Sequence, residues 1–242
     1  METTGKVSPM IHRTFSLILL AAALVGAACS GAEEALDPDT VIAQSIERMG
    51  EVESVAFFLE RTGIPVYIDE ANTIEFTEAE GRFLAPESTD ALLTVRAFGI
   101  PARVGAVQIE GDTWITNPIT GNWEDAPADF TFDVAALFDR TQGWSALLDG
   151  GLTNVSFVAE EEVDGEVLAH FRVTAPADRI EQITAGMVSG QAVDGDLWIL
   201  RSSGEIRELA FDTDMTDGVT SWRLVMTEYG SEVEISVPDL NG

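Results

Sequence analysis

The chain is short of almost everything that builds a metal or redox centre. It has one cysteine, Cys29, two histidines and a single lysine, Lys6. One cysteine excludes an internal disulfide framework and, with so few histidines, a zinc site. Positive charge is scarce: 13 Lys+Arg stand against 42 Asp+Glu, a formal net charge of −29. Such a surface repels phosphate backbones, which argues against nucleic acid as a partner, and net charge gives no attraction to an anionic membrane. There is no G-x-G-x-x-G, no phosphate loop and no G-x-S-x-G. His170 lies in GEVLAHFRV on the face of Leu168 and Arg172 and reads as an outward, solvated side chain. Carboxylates are too numerous for any pair to stand out. Glu160-Glu161-Glu162 reads as a solvated edge. Asp212 to Gly218 fails as a calcium loop, with Asp217 at the sixth position and Arg223 at the twelfth. The expectation is a protein with no catalytic residue, no cofactor and no metal.

The one extended apolar run, Phe15–Val25, is 11 residues long, about half of what a membrane-spanning helix needs. It follows a weakly basic start (Lys6, His12, Arg13) and leads into Gly26, Ala27, Ala28, Cys29, Ser30 and Gly31. A basic head, a short apolar middle and a small-residue exit mark residues 1–28 as a secretory signal peptide. Ala27-Ala28-Cys29 resembles a bacterial lipobox, which implies that Cys29 takes a diacylglycerol and becomes the first residue of the exported chain. The alternative is ordinary cleavage, with Cys29 an incidental thiol. Residues 29–37 are small and acidic and read as the lipidated N-terminus and a flexible tether. The expected location is the outer face of the cell membrane, held by that anchor.

Residues 38–242 read as one domain. Pro38 to Met49 predicts a helix capped by Asp37, with Val41, Ile42, Ser45, Ile46 and Met49 on one face. Period-2 stretches predict strands over 53–63, 72–86, 89–99 and 102–111, then a turn into Thr113–Thr116. Residues 117–129 read as a loop carrying Trp123, and 132–149 as two short helices broken at Gly143. Strands resume at 152–162 and 165–174 around Asp164-Gly165, a hairpin signal. A helix is expected over 176–188, and four closing strands over 194–201, 205–212, 219–229 and 232–237. Strands dominate and hairpins join them, so the fold class is α+β with a mostly antiparallel sheet. Phe57-Phe58-Leu59, Leu92-Leu93 and Leu197-Trp198-Ile199-Leu200 are apolar on both faces. A sheet with one wet face alternates more cleanly, so part of this one is covered twice.

The order of these segments carries a resemblance. ESVAFFLE…GIP after an opening helix, VQIEGDTWITNPITGNWEDAP, DLWILRSSGEIRELAFD and the ending WRLVMTEYGSEVEISVPD resemble the LppX/LprA/LprF/LprG lipoproteins of actinobacteria, over essentially the whole exported chain. The resemblance implies a curved half-barrel sheet wrapped around helices, with an apolar cavity between. It implies that the cavity binds acyl chains of lipids or glycolipids and carries them across the cell envelope. The implied partners are that lipid, the membrane through the anchor, and an envelope transporter. The expected cavity liners are Phe57, Leu59, Leu93, Val95, Val107, Ile115, Leu137, Trp144, Leu148, Leu197 and Ile199. An ordinary packed core is the other reading of these residues. It corresponds to a non-enzymatic sensor or scaffold lipoprotein that binds a protein partner.

Overall fold

The computed structural model describes residues 37–240 apart from 70, 129, 131, 140, 185 and 186. The expected signal peptide, Cys29 and most of the tether lie outside the described residues. Leu36–Gly242 forms a compact unit by itself.

The helix α1 runs over Pro38–Gly50, with proline in its first turn and Val41, Ser45 and Met49 buried. Proline suits that turn because its missing N–H would be unpaired there anyway. Asp37 does not cap the backbone as expected; its carboxylate accepts from the Thr40 hydroxyl at 2.5 Å. Twelve strands follow. The first seven are β1 Ser54–Gly63, β2 Val66–Tyr67, β3 Ile74–Leu84, β4 Ser88–Ala97, β5 Ile100–Ile109, β6 Asp112–Thr116 and β7 Trp123–Asp125. The other five are β8 Thr153–Val163, β9 Glu166–Ala175, β10 Val193–Leu200, β11 Ile206–Met215 and β12 Gly218–Thr227. They form one curved, unclosed antiparallel sheet in the order β7-β6-β5-β4-β3-β1-β12-β11-β10-β9-β8, with β2 paired to β3. Each half is a meander of hairpins. The halves join at the centre, where β1 lies against β12 from Ala56↔Thr227 to Gly63↔Thr220.

This order explains the cover on the sheet. β7 and β8 are the two outer edges, so the chain between them must travel from one edge to the other. It carries a 3-10 turn at Ala135–Phe138, a three-residue helix α2 at Trp144–Ala146 and a π-type turn at Leu147–Gly151. Ala135, Leu137, Phe138, Trp144, Leu147 and Leu148 are buried in the same core as the strands. That core holds alternate residues of the central strands, for example Val55, Phe57 and Leu59 of β1, and Trp222, Leu224 and Met226 of β12.

Four local expectations change. Trp123–Asp125 is a strand on β6, not loop, and β2 adds a short pairing on β3. The expected helix over 176–188 shrinks to Ile180–Ile183 (α3). Thr184 stands at its end: its buried hydroxyl donates to the Ile180 carbonyl and accepts from the Val188 amide, both at 2.9 Å. A side chain that bonds locally to backbone competes with helix continuation. The expected strand over 232–237 does not form. Both edges of β12 are taken, by β1 and β11, so the chain after Thr227 has no free edge to pair with. Instead Gly230 donates to the Ser54 carbonyl at 2.9 Å and the Ser54 hydroxyl to Ser231 at 2.6 Å.

Candidate functional site

The inner face of the sheet carries the hydrophobic core of the described residues. Ten of the expected liners meet there in one core: Phe57, Leu59, Leu93, Val95, Ile115, Leu137, Trp144, Leu148, Leu197 and Ile199. Each is 6% exposed or less. Val107 does not join them. In β5, Val104 and Ala106 face the core, opposite Leu93 and Ile115, and Val107 points to the other side, where it pairs with Trp114 of β6. Three consecutive near-apolar residues hid the phase of that strand. Sequence reading also missed Phe83 and Phe138, stacked with ring centroids 4.4 Å apart, and Phe76 between Phe132 and Trp222 at 6.0 and 6.3 Å. The alternation in β3 and β12 contained that signal; the partners on the crossing segment did not show it.

The crossing segment is bordered by two grooves, of about 530 and 250 Å³, which share Gln108, Gly111 and Asp133. The first is lined by Phe130 and Phe132, the second by Ala135 and Ala136. α1 closes the neighbouring end. Its Ile46 carbonyl accepts from the Ser145 hydroxyl at 3.0 Å, and Arg48 reaches Glu205 at 2.7 Å. Beside that junction two buried polar atoms have no hydrogen-bond partner among the described residues, the Ser45 hydroxyl and the Trp144 indole nitrogen. Tyr229, whose hydroxyl donates to the Ile206 carbonyl at 2.6 Å, is so buried that its phenol is pushed up from its usual value.

The opposite, outer face carries a groove of about 650 Å³ lined by Phe58, Leu92, Val107, Trp123 and Val225, with the Arg82–Asp90 ion pair at its side. Gly105 makes room for the Trp123 ring, which would lie 2.9 Å from an added Cβ.

His170 is outward as expected but not solvated. Its ring nitrogens pair with Glu161 at 2.9 Å and Asp196 at 2.7 Å, and it stacks on Trp198 with centroids 4.5 Å apart. The Trp198 indole donates to Glu161 at 3.2 Å. Burial pushes the Asp196 carboxyl up, and the bonds from His170 and Arg172 outweigh it, so the net direction is down. The Glu160–162 edge is likewise partly engaged, since Glu160 pairs with Arg201 at 2.9 Å.

The model of the LppX_LprAFG lipoprotein family matches residues 37–235. Among solved structures, LprF from Mycobacterium bovis is similar at 15% identity and a TM-score of 0.63, covering 84% of this chain and 98% of its own. Lipoprotein LppX from Mycobacterium tuberculosis is similar at 18% identity and a TM-score of 0.57, covering 83% and 100%. No curated protein matches the chain by sequence. At these identities the likeness to LprF and LppX is one of fold.

Proposed function

Because the chain belongs to the LppX_LprAFG lipoprotein family, we propose that it is an exported, non-enzymatic carrier, anchored through Cys29, whose inner sheet face takes the acyl chains of a lipid or glycolipid and moves them across the cell envelope. One observation carries this reading: a mostly apolar inner face is covered by helical pieces of only three to five residues, the last with non-helical backbone at Asp149 and Gly150. Such short pieces have little stability of their own, so an acyl chain can replace them at low cost. Each buried CH₂ is worth about 0.8 kcal/mol against water. A membrane offers the same, so exchange between bilayer and carrier is nearly neutral. The partnerless Trp144 N–H and Ser45 hydroxyl beside the cover support a ligand that brings hydrogen-bonding groups, such as a glycerol ester, to that point.

The second reading, a scaffold that binds a protein, is favoured by the filled core and by the outer groove at Phe58 and Trp123. Native mass spectrometry of residues 36–242 purified from lipid-rich cells separates the two. The carrier reading expects bound diacyl or triacyl lipid. It expects Val95→Trp, on the inner face, to lose lipid, and Val107→Trp, on the outer face, to keep it. Lipid-free protein, with Val95→Trp destabilised by about 1–3 kcal/mol from overpacking, would leave the scaffold standing. The anchor is tested separately: Cys29→Ala is expected in the soluble exported fraction and the unaltered chain with membranes.

A further inference from the structure

Acidic partners are abundant here, and most of the described arginines use them. Arg48, Arg61, Arg82, Arg172, Arg179, Arg201, Arg207 and Arg223 each pair with a carboxylate. Arg96 and Arg103 are exposed and form no ion pair with any described residue. Both stand on the β4–β5 hairpin. In its register Arg96 faces Pro101 and Arg103 faces Thr94, which puts the two guanidinium groups on the outer face of the same ribbon.

The tip of that ribbon is unusual in a second way. Phe98 and Gly99 form the turn with φ of +52° and +80°. The left-handed region suits glycine, asparagine or aspartate and disfavours a bulky side chain. The other described non-glycine residues with positive φ are Asn72, Glu110, Asn154, Asp164 and Glu228, all polar. Phe98 is 76% exposed and Ile100 is 69% exposed, so neither is held there by packing. The β6–β7 loop leaves the sheet from the same end and adds Ile119, 88% exposed.

We propose that the β4–β5 tip is a membrane-docking prong, in which Phe98 and Ile100 enter the interface of a bilayer while Arg96 and Arg103 bind anionic lipid headgroups. Charge complementarity selects this occupant. On a chain of net charge −29, Arg96 and Arg103 are the arginines without an ion pair among the described residues, the Glu75 opposite Arg96 being held by Arg61, and they mark the place where an anionic surface can approach. Apolar side chains exposed at a turn suit an interface that accepts them from one side, rather than a groove-shaped protein partner. The inference does not depend on whether the inner face carries lipid, and it assigns the tip to contact with a bilayer rather than to storage of a ligand.

The test uses residues 36–242, a compact unit without the signal or Cys29, sedimented with phosphatidylglycerol–phosphatidylcholine vesicles and with phosphatidylcholine vesicles. Binding is expected to the anionic vesicles and to fall steeply with salt. Arg96→Gln with Arg103→Gln should weaken it by about thirtyfold, given the usual worth of a basic residue near an anionic surface. Phe98→Asn is the sharper variant, since asparagine fits the turn: its melting temperature should be equal or higher while vesicle binding drops on the order of tenfold. Two results overturn the proposal. One is a wild-type domain that does not bind anionic vesicles, which would pass the tip to a protein partner. The other is Phe98→Asn and the double arginine variant binding as well as wild type.

Discussion

Arg61 is 4% exposed and lies at the end of the inner row of β1, opposite Trp222. A charge survives there because its donors are fully used. They reach the carbonyls of Phe76, Gly63 and Ile64 between 2.6 and 3.1 Å and the Glu75 carboxylate at 2.6 Å. Arg61→Met keeps the volume and strands those acceptors, so urea denaturation should show a loss of about 3 kcal/mol. At the acid end three aspartates set the limit. Burial raises Asp69, but the bonds from Thr73 and Ile74 win and lower it; bonds from Thr141 lower Asp139; His170 and Arg172 lower Asp196 against its burial. A lowered folded value means the unfolded chain binds more protons in acid. Their stabilisation is complete above the ordinary aspartate value of about 3.9 and is lost as pH falls through the folded value. Melting temperature against pH should therefore fall steeply only below about pH 4, and Asp139→Asn should flatten that limb while lowering the plateau.

Among the elements, the crossing segment and the central strands should differ most in dynamics. β1 is paired on both sides, by β3 and β12, and opens only with the whole sheet. The 3-10 turn, α2 and the π-type turn depend on side chains such as Phe138 on Phe83. Hydrogen exchange should release amides over 135–151 orders of magnitude faster than those of β1 and β12; equal protection would remove the displaceable cover on which the carrier reading rests. α3 is a separate case. Its stop at Thr184 predicts that Thr184→Val, nearly the same in volume, leaves the buried Val188 amide unpaired and costs about 1–3 kcal/mol in thermal or chemical unfolding. The edge strand β8 exposes Val155, Phe157 and Val158. Glu160 to Glu162 charge the rest of that edge and oppose pairing with a second sheet.

At the scale of the whole molecule, self-repulsion is the dominant electrostatic fact. With a net charge of −29, screening should stabilise the fold. Raising salt from about 0.1 M to 1 M shortens the Debye length from about 10 to 3 Å, and calorimetry should show a higher melting temperature. A decrease would mean that the arginine–carboxylate pairs outweigh the repulsion. Most of the sheet was legible beforehand because its signals are local. Period-2 alternation and turn residues marked ten of the twelve strands, including the short β6 but neither β2 nor β7, and the left-handed turn at Asp164-Gly165, with φ of +53° and +82°, matches its residue types. The acidity is likewise written in the composition itself. What the amino-acid order could not decide alone was everything set by pairing at a distance. β1 against β12 joins residues more than 150 positions apart, and that one pairing removes the edge that residues 232–237 would have used. It also sends the chain between β7 and β8 across the inner face. Curvature and cover decided that Val104 and Ala106 face the core and Val107 does not, and that His170 is pinned between two carboxylates. These outcomes depend on which surfaces pack together after the loops have closed, and no local period encodes that choice.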